Sequence, residues 1–158
     1  TTSNQFLRGY GGTAVNTTAE TIVQSVLVPA GTFNSSAGFR IYTIFTRSAS
    51  TALTARIYIN TTNTVGGFNM ASTGYVMPAN TTPTYTMRRQ GFIQVASGSP
   101  STIYFTNALE SNDVTSNATS TFTTSAIDWS VDQYIILTVV MGNATTTTTC
   151  NAFQIFPQ

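Results

Sequence analysis

Residues 53–60 read Leu-Thr-Ala-Arg-Ile-Tyr-Ile-Asn, and this stretch decides the fold class. Leu53, Ala55, Ile57 and Ile59 alternate with Thr54, Arg56 and Tyr58. Period two puts the apolar side chains on one face and the polar ones on the other, the pattern of a half-buried β-strand.

The same pattern extends in both directions. Upstream, Glu20 to Val28 is a β-branched run that stops at Pro29-Ala30-Gly31, a turn signal. Phe39 to Arg47 predicts a second strand. Downstream, residues 60–83 are loop-rich, with Asn60-Thr61-Thr62-Asn63, Gly66-Gly67 and Pro78, and room for one short strand over Gly74 to Met77. Tyr85 to Val95 predicts a long strand in which Gly91 marks a bulge. Thr102 to Leu109 and Thr119 to Ile127 follow. Asp132 to Met141 is apolar on both faces, as a central sheet strand should be. Thr149 to Phe156 closes the chain, with Phe153 and Ile155 facing one way. No segment shows sustained helical periodicity. About eight strands separated by turn signals predict an all-β, two-sheet sandwich, and a jelly roll is the commonest arrangement of eight such strands. Residues 1–19, with Gly9-Tyr10-Gly11-Gly12, are expected as an N-terminal arm anchored by Phe6 and Leu7, and residues 20–158 as the sandwich domain.

Composition narrows the function. The 158 residues suit one domain. Only 7% of them are charged, against about 25% in ordinary domains. There is no Lys and no His, and Thr appears 32 times. A polar surface made of Thr, Ser and Asn hydrates without charge. A net charge of +1, with Arg88 and Arg89 as the one adjacent basic pair, argues against nucleic acid and against an anionic membrane surface. No apolar run reaches the length of a membrane span. Cys150 stands alone, so no internal disulfide is possible, and it reads as a small buried hydrophobe.

Catalysis usually needs titratable groups with tuned pKa values. Without His there is no Ser-His-Asp or Cys-His arrangement and no zinc site of the usual donors. Five carboxylates remain: Glu20, Glu110, Asp113, Asp128 and Asp132. A glycosidase would need two of them to converge, and Asp128 and Asp132, flanking a turn with Trp129, are the best pair. Their plainer reading is hydrogen bonding within the turn. Glu110 and Asp113 read as solvated loop. No catalytic residue, cofactor or metal is expected. Six Asn-x-Ser/Thr sequons, at Asn16, Asn34, Asn60, Asn80, Asn117 and Asn143, are what so Asn- and Thr-rich a chain forms by chance. Exposed aromatics could stack on sugars. Tyr10, Tyr42, Tyr58, Tyr75, Tyr85, Tyr104, Phe68 and Trp129 form the pool, and Tyr58, on the polar parity of its strand, is the best surface candidate. The candidate interaction residues are therefore Phe6, Leu7, Tyr58 and Trp129.

Several stretches also resemble a known family. Glu20-Thr-Ile-Val-Gln-Ser-Val-Leu-Val-Pro-Ala-Gly-Thr-Phe33 resembles the opening strand and turn of small jelly-roll domains in tailed-bacteriophage virion proteins. Gly38-Phe39-Arg40-Ile41, the strand Leu53 to Asn60 with Arg56, Arg88-Arg89-Gln90-Gly91-Phe92-Ile93 and Ile127 to Ile136 resemble their later strands. The likeness spans residues 20 to 156. It implies a non-enzymatic virion structural protein at the particle surface and a homotrimer. It also implies contacts with the major capsid protein or tail components, and a host-surface glycan as a possible partner. The family has no catalytic motif, so no functional residues carry over. With some 19 residues ahead of the domain, a capsid decoration (cement) or head-fibre protein is expected rather than a tail-fibre receptor-binding domain. A carbohydrate-binding module is the alternative of a different class.

Overall fold

The structure, a computed structural model, describes residues 7–9, 12–33, 38–49, 51–69, 75–77, 86–94, 101–105, 123–125 and 127–157. These residues are all-β, with two antiparallel sheets. In chain order the strands are β1 (Leu7–Gly9), β2 (Gly12–Val15), β3 (Thr21–Val28), β4 (Gly38–Arg47), β5 (Leu53–Asn60), β6 (Phe68–Asn69), β7 (Tyr75–Met77), β8 (Thr86–Gln94), β9 (Ser101–Phe105), β10 (Thr123–Ser125), β11 (Gln133–Met141) and β12 (Thr147–Pro157). Among the described residues no helix is long and apolar enough to cross a membrane.

One sheet runs β1-β12-β4-β8-β9-β10, with β2 also on β12; the other runs β3-β11-β5-β6, with β7 also on β5. Their facing sides share one core. Val23, Leu53, Ile57, Ile135 and Leu137 from the second sheet cluster with Ile41, Cys150, Phe153 and Ile155 from the first. The alternation of β5 thus does what period two requires, and Leu53, Ala55, Ile57 and Ile59 are all buried.

Two bulges explain where simple alternation fails. On β3 the buried valines are Val23, Val26 and Val28, which cannot share a face in a regular strand. The register slips opposite Leu137/Thr138, so Leu137 pairs with Gln24 and Thr138 with Ile22, leaving Val23 as the extra residue. That slip lets Val23 join the core beside Val26. On β12 the register shifts between Cys150 and Ala152, and burial moves from Thr148 and Cys150 to Phe153 and Ile155. The bulge expected at Gly91 is absent: its pairings to Ile41 and Phe105 run through without a shift.

The expected arm departs from its description as well. β1 pairs with Gly9↔Phe153 through Leu7↔Ile155, and β2 with Thr147↔Val15 through Cys150↔Gly12. The two therefore lie end to end along one edge of β12, and Ala14 is buried in the core. Polar composition and glycines hid these strands, yet one glycine is there for packing. A Cβ on Gly12 would overlap the Val23 carbonyl, where the first sheet's edge crosses β3. Asn16, at φ 53°, then turns the chain from one sheet to the other.

Candidate functional site

Tyr58 lies on the outer face of β5, as its parity requires, but it is only 9% exposed. The expectation of a surface aromatic is corrected. Across the strand it faces Ile136, which is fully buried. Its hydroxyl donates to Glu20 Oε1 at 3.0 Å. The Thr138 hydroxyl donates to the same oxygen at 2.6 Å, and Arg56 Nη1 lies 3.2 Å from Oε2. Glu20 stands just before β3 and closes over the outer face of the sheet. Partial burial raises its carboxyl, but the Thr138 and Tyr58 hydroxyls and the Arg56 guanidinium outweigh that and hold it below its ordinary value. Burial and the neighbouring carboxylate raise the Tyr58 phenol. The cluster is an ion pair braced by two hydroxyls, and it fastens Glu20 to the outer face of the sheet.

Trp129 is corrected in the same way. It is 7% exposed, and its ring meets Phe33 edge to face, with centroids 5.1 Å apart and an 89° interplanar angle. The Pro29–Phe33 turn and the 127–133 turn are joined around this pair. Gly31 N donates to Trp129 O at 2.8 Å, and Ala30 N donates to Asp132 Oδ1 at 2.8 Å. Asp128 Oδ1 accepts from Ser130 N at 2.9 Å and Ser130 Oγ at 2.6 Å, which lowers its pKa. Both carboxylates therefore shape the turn, as an Asx-turn reading predicts.

Beside that turn lies an open cleft of about 350 Å³. Ile59, Asn60, Thr61 and Phe68 line one wall, and Ile127, Asp128, Val131 and Gln133 the other. Gly66 and Gly67, at φ 118° and 94°, bring the chain from β5 back to Phe68. Asn60 Nδ2 donates to Gly66 O at 3.3 Å and braces that loop. Phe68 packs against the core and also lines the cleft. Gln133 is 4% exposed and donates through Nε2 to Asp128 O at 2.7 Å. Among the described residues, Gln133 Oε1 and Asp128 Oδ2 accept no hydrogen bond.

The opposite end of the same sheet is closed. Asn143 Nδ2 donates to Thr51 Oγ1 at 2.7 Å, the buried Thr146 hydroxyl donates to Asn143 Oδ1 at 2.9 Å and lies 2.9 Å from Thr51 Oγ1, and Thr145 N donates to Asn143 Oδ1 at 3.0 Å. Gly142 N donates to Ala52 O at 2.8 Å. Arg47, almost wholly buried, donates through Nη1 to Thr51 O. Cys150 is free and fully buried, and burial pushes its thiol up to about 12.

Of the other expected residues, Phe6, Glu110 and Asp113 lie outside the described residues, as do the sequons at Asn34, Asn80 and Asn117. Leu7 contributes backbone pairing to Ile155. No group of three or more His, Cys, Asp or Glu that could hold a metal occurs among the described residues. The cleft residues Asn60, Val131 and Gln133 were not legible as a site, because the end of β5 and the start of β11 lie far apart in sequence. Phe68, a lone aromatic after Gly66-Gly67, was the one available signal. The chain matches no family model, no curated protein and no solved structure.

Proposed function

We propose that the two sheets form a jelly roll and that the chain is a non-enzymatic bacteriophage virion structural protein. Its role is that of a capsid decoration or head-fibre protein, carried on the particle surface as a homotrimer against the major capsid protein. The observation that carries this reading is the order of strand pairing. A jelly roll is one long hairpin wrapped around a core, so its first strand pairs with its last, its second with its next to last, and so inward. Here β1 and β2 together pair with β12, β3 with β11, β4 with β8, and β5 with β6 and β7. The β12–β4 and β11–β5 pairings join these into two sheets. β9 and β10 extend the first sheet beyond β8. The likeness of residues 20 to 156 to phage jelly-roll domains and the charge-poor, Thr-rich composition point the same way. So do the carboxylates Glu20, Asp128 and Asp132, each engaged in shaping the fold.

The test is made on purified particles. Antibody against the chain, followed by electron microscopy, should place label over the shell, and light scattering of the free chain should give three times its monomer mass. Label over the tail tip would move the role to a tail fibre. Particles devoid of the chain would end the virion reading.

A further inference from the structure

We propose that the cleft between the 60–68 loop and the 127–133 turn binds a single neutral sugar ring. The inference does not depend on where the chain sits on a particle.

Its volume, about 350 Å³, falls at the small end of the range of ligand sites, which runs from roughly 300 to 1,000 Å³. The lining is mixed in the way a pyranose is mixed. Phe68 and the exposed Val131 supply apolar surface for the C–H face of the ring. Asp128 Oδ2 and Gln133 Oε1 supply two acceptors that no donor among the described residues satisfies. The rest of the Gln133 side chain is buried, but Oε1 is not shut off from solvent, so water meets it at the cleft wall and a ligand hydroxyl would replace that water. Two open acceptors call for a ligand that brings adjacent donors, which vicinal hydroxyls do. The Thr61 hydroxyl, on the facing wall, can donate or accept a third bond. The one charged group on the lining is a carboxylate, so acidic sugars are disfavoured.

The acceptors are also held in place before any ligand arrives. Asp128 is fixed by two bonds from Ser130, and Gln133 by its own bond to Asp128 O. The turn that carries both is joined to the Pro29–Phe33 turn through Trp129 and Asp132. Little side-chain entropy is then lost on binding.

The test is an amide-shift titration of the whole chain with the methyl glycosides of glucose, galactose and N-acetylglucosamine. N-acetylneuraminic acid and butylamine serve as counter-probes. At least one neutral glycoside should saturate at roughly millimolar to tens of millimolar, with shifts at Phe68, Val131 and Gln133. Asp128→Asn keeps the acceptor for Ser130 while removing the charge, and Phe68→Leu keeps the core contact while removing the flat ring. Each should weaken binding by about tenfold or more while the chain still melts cooperatively, with only a small fall in melting temperature. No saturable response to any neutral glycoside overturns the proposal. So does a response to the acid or the amine alone, or binding that both variants leave intact.

Discussion

The two ends of the β3–β11–β5 sheet are built from the same residue types and put them to opposite use. At the end where β5 begins, Thr51, Asn143 and Thr146 satisfy one another and Arg47 is turned inward onto a loop carbonyl. At the end where β5 finishes, Asn60, Asp128 and Gln133 brace the chain around them, and Asp128 and Gln133 leave acceptor atoms on the wall of a cleft. Polar groups that find partners inside the chain contribute to stability, and those left open at a preorganised wall are available to a ligand. In a chain with only 7% charged residues, this division rests on amides and hydroxyls rather than on ion pairs.

The largest expected effect lies under the open end. Trp129→Ala removes a buried ring and its contact with Phe33, and should cost about 3–5 kcal/mol in denaturant unfolding. A loss below about 1 kcal/mol would mean that the ring does not anchor the turn. Next comes the closed end. Asn143→Ala removes the amide that bonds Thr51 and the acceptor for Thr145 and Thr146, for an expected loss of about 2 kcal/mol. A neutral result would show that water replaces the amide and that the end is not closed.

Smaller effects come from pH. The Glu20 carboxyl is held below its usual 4.5, so its contribution is complete above that pH and is lost as pH falls through the lowered value. Glu20→Gln should flatten the acid limb of a stability–pH curve. The Cys150 thiol, raised from 9.0 to about 12, acts in the opposite direction. Its contribution is full below pH 9.0 and is lost as pH rises toward 12, so Cys150→Ala should shallow the alkaline limb. Tyr58, raised above 10.0, adds to that alkaline loss. The smallest effect is Asp128→Asn at the open end, where an amide oxygen can still accept from Ser130 and thermal melting should fall only slightly.

Much of the strand plan was legible in the sequence. Leu53–Asn60 alternates, Pro29-Ala30-Gly31 stops β3, and the two-sided apolar run Gln133–Met141 lies centrally between β3 and β5. What period two could not reveal was the pair of bulges, since a one-residue slip is set by the partner strand and leaves no mark in the strand's own composition. β1 and β2 were hidden for a related reason: three- and four-residue edge strands gain their pairing from β12, about 130 to 150 residues away in sequence, and not from local preference. For the candidate site the sequence misled on exposure. Parity correctly put Tyr58 on the outer face, but parity says nothing of Glu20 folding over it, and Trp129 looked like a turn aromatic until Phe33 was seen beneath it. The cleft joins residues some 60 to 70 positions apart, and no spacing rule connects Asn60 to Asp128.

The division between the two ends is tested most directly by titrating two folded variants, Asn143→Ala and Asp128→Asn, side by side with the neutral methyl glycosides while amide shifts are followed. Asn143→Ala, though less stable, should bind as the parent chain does, and Asp128→Asn, though nearly as stable as the parent, should lose binding. Equal loss in both, or undiminished binding by Asp128→Asn, would contradict that division.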